Sequence, residues 1–164
     1  MIVRERRRIS LAAANGESRR RLTQHSSVAS DLISCLPAEV EVSLLSKRIL
    51  VVDDAFGDRM VLRDYLLSFG YQIAGEAKCG RESLEKYRDL KPDLVLLDAA
   101  MPDMDGVSVV RELLRQDGEA NILICVSRGQ RALAIEAVHA GASDFVTKPI
   151  SPRRLKKAIH GLIG

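Results

Sequence analysis

Between residues 47 and 164 the chain alternates short, fully apolar runs with longer stretches that are apolar at helical spacing. Ile49-Leu50-Val51-Val52 is the first run and ends in Asp53-Asp54. Leu94-Val95-Leu96-Leu97 follows Asp93 and ends in Asp98. Ile122-Leu123-Ile124-Cys125-Val126 ends in Ser127, and Asp144-Phe145-Val146-Thr147 ends in Lys148-Pro149. Tyr71 to Glu76 is a weaker and more polar fifth run. Runs that are apolar at every position, not every second one, predict strands covered on both faces, as in a parallel sheet.

The intervening stretches predict helices. Met60, Leu62, Tyr65, Leu66 and Phe69 share a face and stop at Gly70. Leu84, Tyr87 and Leu90 mark a second helix that ends before Pro92. Val107, Val110, Leu113 and Leu114 mark a third, and Leu133, Ile135, Val138 and Ala140 a fourth that stops at Gly141. Leu155, Ile159 and Leu162 mark the last, with Ser151 placed to cap it and Pro152 at its first position. A strand followed by a helix, five times over, predicts an α/β protein with a doubly wound parallel sheet and right-handed crossovers.

Residues 1–46 have another texture. Arginines stand at positions 4, 6, 7, 8, 19, 20 and 21, opposed up to Val28 only by Glu5 and Glu17. Neither helical nor strand period is sustained, so this segment is expected to be a basic, flexible extension dispensable for folding. A basic arm for anionic lipid or nucleic acid is the sharper reading. No aromatic residue interleaves with the arginines to stack on bases, which argues against nucleic acid. A start codon just before the folded part, at Val42, Leu44 or Leu45, is a third.

Overall composition narrows the class. Hydrophobic residues make up 46% of the 164 positions, too many for a wholly disordered chain. No apolar run approaches the roughly 18 residues of a membrane span. The short Ile9–Ala14 stretch is no secretory signal. Cys35, Cys79 and Cys125 are odd in number and far apart, which points to neither a disulfide framework nor structural zinc. A cytoplasmic protein is expected. The net charge of +3 is too small to imply a nucleic-acid partner.

In an open α/β sheet, ligands bind beyond the carboxyl ends of the strands. Those ends carry Asp53, Asp54, Asp98, Ser127 and Lys148. Three carboxylates crowded on one rim resist ionising together, and a hard divalent cation resolves that. Mg2+ is suited, because it takes few carboxylates, several waters and a phosphate oxygen. Such a rim supports phosphoryl transfer with Asp98 as nucleophile and Lys148 steadying another oxygen. Taken singly, each feature has a plainer reading. Asp53-Asp54 could cap a helix, Met101–Gly106 could be only a turn, Lys148-Pro149 could be surface punctuation, and Phe145 could be core. Their common order along one rim favours the joint reading.

Ile-Leu-Val-Val-Asp-Asp at 49–54, Leu-Leu-Asp-x-x-Met-Pro-x-Met-Asp-Gly at 96–106, Ala-Gly-Ala-x-Asp-Phe at 140–145 and Lys148-Pro149 together resemble the receiver domain of bacterial response regulators, especially stand-alone chemotaxis-type receivers. The resemblance covers residues 47–164. It implies a flavodoxin-like (βα)5 fold with strand order 2-1-3-4-5. It implies that Asp98 accepts a phosphoryl group from a histidine kinase or phosphotransfer protein, without the chain being a conventional enzyme. Asp53, Asp54, Asp98 and the backbone carbonyl of Ala100 would hold Mg2+, and Lys148 would pair with the phosphoryl group. Phe145 stands at the switch-aromatic position, and the Lys148-Pro149 peptide is expected to be cis.

One position departs from that pattern. The family carries a Ser or Thr at the end of the fourth strand, 22 residues before the lysine and 15 before the glycine. Both counts land on Val126, and the hydroxyl stands one place later on Ser127. Either the strand end shifts by one residue or the switch hydroxyl is missing. The sequence stops at Gly164 after the fifth helix, so output is expected through a partner that reads the fourth helix, fifth strand and fifth helix, around Gln130 to Lys157. The alternative is a pseudo-receiver, a constitutive interaction module. A haloacid-dehalogenase-type hydrolase would need Asp-x-Asp after the first strand, where this chain has Asp53-Asp54-Ala55.

Overall fold

A computed structural model describes residues 46–164; the expectations for residues 1–45, including the basic extension and Cys35, lie outside the described residues. Five strands alternate with five helices: β1 (Arg48–Val52), α1 (Phe56–Ser68), β2 (Gln72–Ala77), α2 (Gly80–Leu90), β3 (Leu94–Asp98), α3 (Gly106–Gln116), β4 (Ile122–Val126), α4 (Arg131–His139), β5 (Asp144–Thr147) and α5 (Pro152–Ile163). All strand pairings are parallel, and the order is β2-β1-β3-β4-β5. The fold is therefore the doubly wound α/β arrangement.

Alternation along the strands divides the core in two. Leu50, Val52, Val95, Leu97, Ile122, Ile124 and Val126 face one layer with α2, α3 and α4. Ile49, Val51, Leu94, Leu96, Leu123 and Cys125 face the other with α1 and α5. That two-sided burial is why the strands are apolar at every position.

Details differ from the sequence reading at element ends. β2 runs one residue later than expected, Gln72–Ala77 in place of Tyr71–Glu76, and its pairing with β1 is irregular between Ile49 and Leu50. Ser151 does occupy the N-cap of α5, but its side chain makes no capping bond there. Asp53-Asp54 does not cap α1; Ala55 holds that position without a side-chain bond. The Met101–Gly106 turn does end in a cap: Asp105 accepts bonds from the Ser108 amide at 2.8 Å and its hydroxyl at 2.6 Å. Cys79 and Cys125 are free thiols. Among the described residues, no helix is long and apolar enough to cross a membrane.

Candidate functional site: the carboxyl edge of the sheet

The register brings the expected residues together. Val52 pairs with Leu97, which sets Asp53 beside Asp98 at the ends of neighbouring central strands. Lys148 follows β5, two strands away, and its amide donates to the Val126 carbonyl at 2.8 Å. Only a long, flexible side chain can cross the end of β4 from there. Its ammonium lies 2.7 Å from Asp98 Oδ1 and 2.7 Å from Asp53 Oδ2. The Lys148–Pro149 peptide is cis.

The two carboxylates are buried, Asp53 at 1% exposure and Asp98 at 5%. Each keeps one oxygen on Lys148 and the other on a backbone amide. Asp53 Oδ1 accepts from Ala55 at 2.9 Å, and Asp98 Oδ2 accepts from Ala100 at 2.9 Å. Burial raises the pKa of Asp98; Lys148 opposes that rise without cancelling it, and the nearby charge of Asp53 adds to it. Burial alone would lower the pKa of Lys148, but its carboxylate bonds outweigh burial and hold it above the ordinary lysine value. The ammonium therefore stays charged between the two carboxylates.

Asp54 is exposed. Its backbone carbonyl and that of Asp53 accept from Arg59 Nη1 at 3.2 and 2.7 Å, and Arg59 also faces Glu76 at 3.5 Å. This strap fixes the turn after β1 and leaves the Asp54 carboxylate on the rim. No group of three or more His, Cys, Asp or Glu side chains among the described residues is arranged to hold a metal. The oxygen donors that do meet, two buried carboxylates with Asp54 and the exposed Ala100 beside them, suit a cation that keeps most of its waters, as Mg2+ does.

The acceptor loop is built by close approach. The Gly106 amide donates to the Ala99 carbonyl at 2.9 Å. A Cβ on Gly106 would lie 2.8 Å from the Ala99 Cα and 3.0 Å from the Asp98 carbonyl, so only glycine fits. Asp103 in the same loop accepts from the Gly80 and Arg81 amides at 2.9 and 3.1 Å, tying the loop to the start of α2.

At the other flank the register is continuous, Leu123 to Val126 pairing with Asp144 to Thr147. The strand neither bends nor slips, and Val126 is its last residue, 2% exposed in the cluster against which Phe145 packs. Ser127 follows outside the strand and is exposed; its amide donates to Gln130 Oε1 at 3.0 Å. The continuous register thus places the apolar residue, not the hydroxyl, at the strand end.

Asp58 was not visible from the sequence. It lies in the first turn of α1 and its Oδ2 is 2.8 Å from Lys148 Nζ. Acids in a first helical turn are common for the helix dipole alone, so the residue carried no signal of its own. Only its position one turn beyond the Asp53-Asp54 pair, facing back to the strand ends, could have pointed to it.

Residues 49–160 match the sequence profile of the response regulator receiver domain. Over 116 residues the chain is 47% identical to the chemotaxis protein CheY of Thermotoga maritima, covering 71% of this chain and 97% of that protein. It is 40% identical to CheY of Bacillus subtilis over the same coverage. The fold aligns with a chain of the CheX–CheY complex with BeF3 and Mg2+ from Borrelia burgdorferi, with a TM-score of 0.68 and 26% identity over 72% of this chain and 90% of that one. The chain belongs to the response regulator receiver family. Its receiver is CheY-like, consistent with two-component signal transduction.

Proposed function

We propose that Asp98 accepts a phosphoryl group from the phosphohistidine of a histidine kinase or phosphotransfer protein, and that the chain signals by binding a partner in its modified form. The observation that carries this reading is the Lys148 ammonium bridging buried Asp98 and Asp53 at 2.7 Å on the carboxyl edge of the sheet. An oxygen of the Asp98 carboxylate attacks phosphorus, the P–N bond of the donor breaks, and the histidine nitrogen leaves with its electron pair. Lys148 opposes the rise that burial imposes on the Asp98 pKa and offers a cation to the incoming phosphoryl oxygens. The Ala100 amide and the close Gly106 approach fix the acceptor loop. Bound Mg2+, held by Asp53, Asp54, Asp98 and the Ala100 carbonyl, would neutralise charge on the transferred group. On this reading the chain catalyses only its own modification and is no conventional enzyme.

The relatives support the reading: they are named as chemotaxis proteins, and the Borrelia structure pairs its receiver with a second protein, BeF3 and Mg2+. For the downstream partner, α4 presents exposed Ile135 and Val138 on the α4-β5-α5 face. The test is acetyl phosphate with Mg2+, read by intact-protein mass spectrometry. One added phosphoryl group is expected, lost with EDTA and lost in Asp98→Ala. Label retained by Asp98→Ala, or uptake indifferent to EDTA, overturns the assignment.

A further inference from the structure

A lysine ammonium has three N–H donors, and Lys148 has all three engaged: Asp53 Oδ2 at 2.7 Å, Asp98 Oδ1 at 2.7 Å and Asp58 Oδ2 at 2.8 Å. A phosphoryl group added to Asp98 therefore inherits only the donor that Asp98 held, and a second donor for its oxygens must come from Asp53 or Asp58. One carboxylate must yield.

The three are not equivalent. Asp53 is almost fully buried, and releasing it would leave a desolvated charge unpaired. Asp98 is itself the residue modified. Asp58 sits on a separate element, its side chain is 50% exposed, and water can take over its solvation at little cost. It also lines, with Lys148, Ser127 and Arg128, an open cavity of about 600 Å3 between α1 and the loops after β4 and β5, so a released side chain has room to move.

We infer that Asp58 is a detachable third anion on Lys148, a positioning residue that holds the lysine in the unmodified protein and yields it to the phosphoryl group on Asp98. The inference rests on the phosphoacceptor reading above. Asp58 then competes with the modification: its carboxylate must be displaced, and its charge opposes an anionic donor entering the site. Removing the charge makes the modified-like state easier to reach.

The test uses the full chain and BeF3−, a phosphoryl mimic, titrated calorimetrically at saturating Mg2+. Asp58→Asn should bind BeF3− about threefold more tightly, the scale of one exposed ion pair. The gain should shrink as salt rises, and Asp58→Glu, which keeps the anion, should restore wild-type affinity. A merely structural role for Asp58 in α1 would weaken binding or leave it alone, not tighten it. Unchanged or weaker BeF3− binding by Asp58→Asn overturns the inference. A tenfold loss of Mg2+ affinity in a titration with the metal alone would make Asp58 a metal ligand and overturn it too. If the wild-type chain itself binds no BeF3−, the phosphoacceptor reading fails first and this inference falls with it.

Discussion

The two flanks of the strand-end rim are built from opposite materials. On the β1–β3 side, charge is dense and every buried polar atom is held: Asp53 and Asp98 each divide their oxygens between Lys148 and an amide. On the β4–β5 side, Val126 and Phe145 belong to one apolar cluster, Thr147 is the register partner of Val126, and Ser127 stands outside the strand. On the phosphoacceptor reading proposed above, the first flank supplies the acceptor chemistry, and the second, the readout flank, carries Val126 where a hydroxyl would couple that chemistry to a conformational change. Acceptance and response are then expected to be separable, so that substitutions move one without the other.

The largest effect is expected from Lys148→Met. Two neighbouring buried carboxylates would lose their common cation. Breaking a fully buried pair costs about 3–5 kcal/mol; because the Lys148 side chain keeps 20% exposure, about 2–3 kcal/mol is expected at pH 7. The sign of the pH dependence follows from Asp98. Its pKa is already raised by burial and rises further without the lysine, so the folded state takes up a proton that the unfolded state releases. Stability of the variant should then recover as pH falls toward the folded pKa of Asp98. If Mg2+ binds as proposed, saturating Mg2+ should restore part of the loss at pH 7, because a ligand of the folded state alone stabilises it. Urea melts at two pH values, with and without Mg2+, decide it; a variant as stable as the parent at pH 7 and blind to Mg2+ would show that no repulsion was held in check.

A smaller effect is expected at the acceptor loop. In Gly106→Ala the new methyl would press on the Ala99 Cα and on the Asp98 and Ala99 carbonyls at 2.8–3.0 Å. All three are backbone atoms, so no rotamer escapes, and overpacking of this kind costs about 2 kcal/mol. Because the strain falls on Asp98 itself, phosphorylation by acetyl phosphate should slow as well. Gly161→Ala in α5 is the control: nothing lies within 4 Å of its added Cβ, and the helix should gain about 0.5–1 kcal/mol. Equal melts for the two variants would contradict the close approach.

These contacts mark where the sequence was legible. Continuous apolar runs announce parallel strands, and the residues that end them, Asp53, Asp98 and Lys148, converge because every strand of such a sheet points the same way. The order of strands was legible only through resemblance, since nothing in the local pattern says which runs are neighbours. Asp58 and Asp103 were opaque for a different reason. Each acts on a group far away in sequence, Asp58 on Lys148 and Asp103 on the amides of Gly80 and Arg81. Neither spacing nor composition records that a surface acid reaches across a fold. The Val126 question was visible in the sequence as a count, but only the unbroken β4–β5 register shows that the strand does not slip to bring Ser127 into line.

The smallest change in stability, and the sharpest test of the comparison, is Val126→Thr. Cys125 is the register partner of Asp98, so residue 126 lies one step further along toward the edge, where a group added to Asp98 would extend. Thr nearly matches Val in shape but brings a hydroxyl donor. In the unmodified protein that hydroxyl enters an apolar cluster, and a cost of about 1 kcal/mol is expected. In the phosphorylated protein it can bond a charged oxygen, worth about 1.5–3 kcal/mol, enough to shift a two-state population about tenfold or more. The natural chain should therefore take up phosphate yet change conformation weakly, and Val126→Thr should strengthen the change. NMR shifts on α4 and β5, recorded with BeF3− and Mg2+, measure both. Should the natural chain already shift completely, and Ser127→Ala abolish that shift, then Ser127 supplies the donor from outside the strand and the readout flank is not deficient after all.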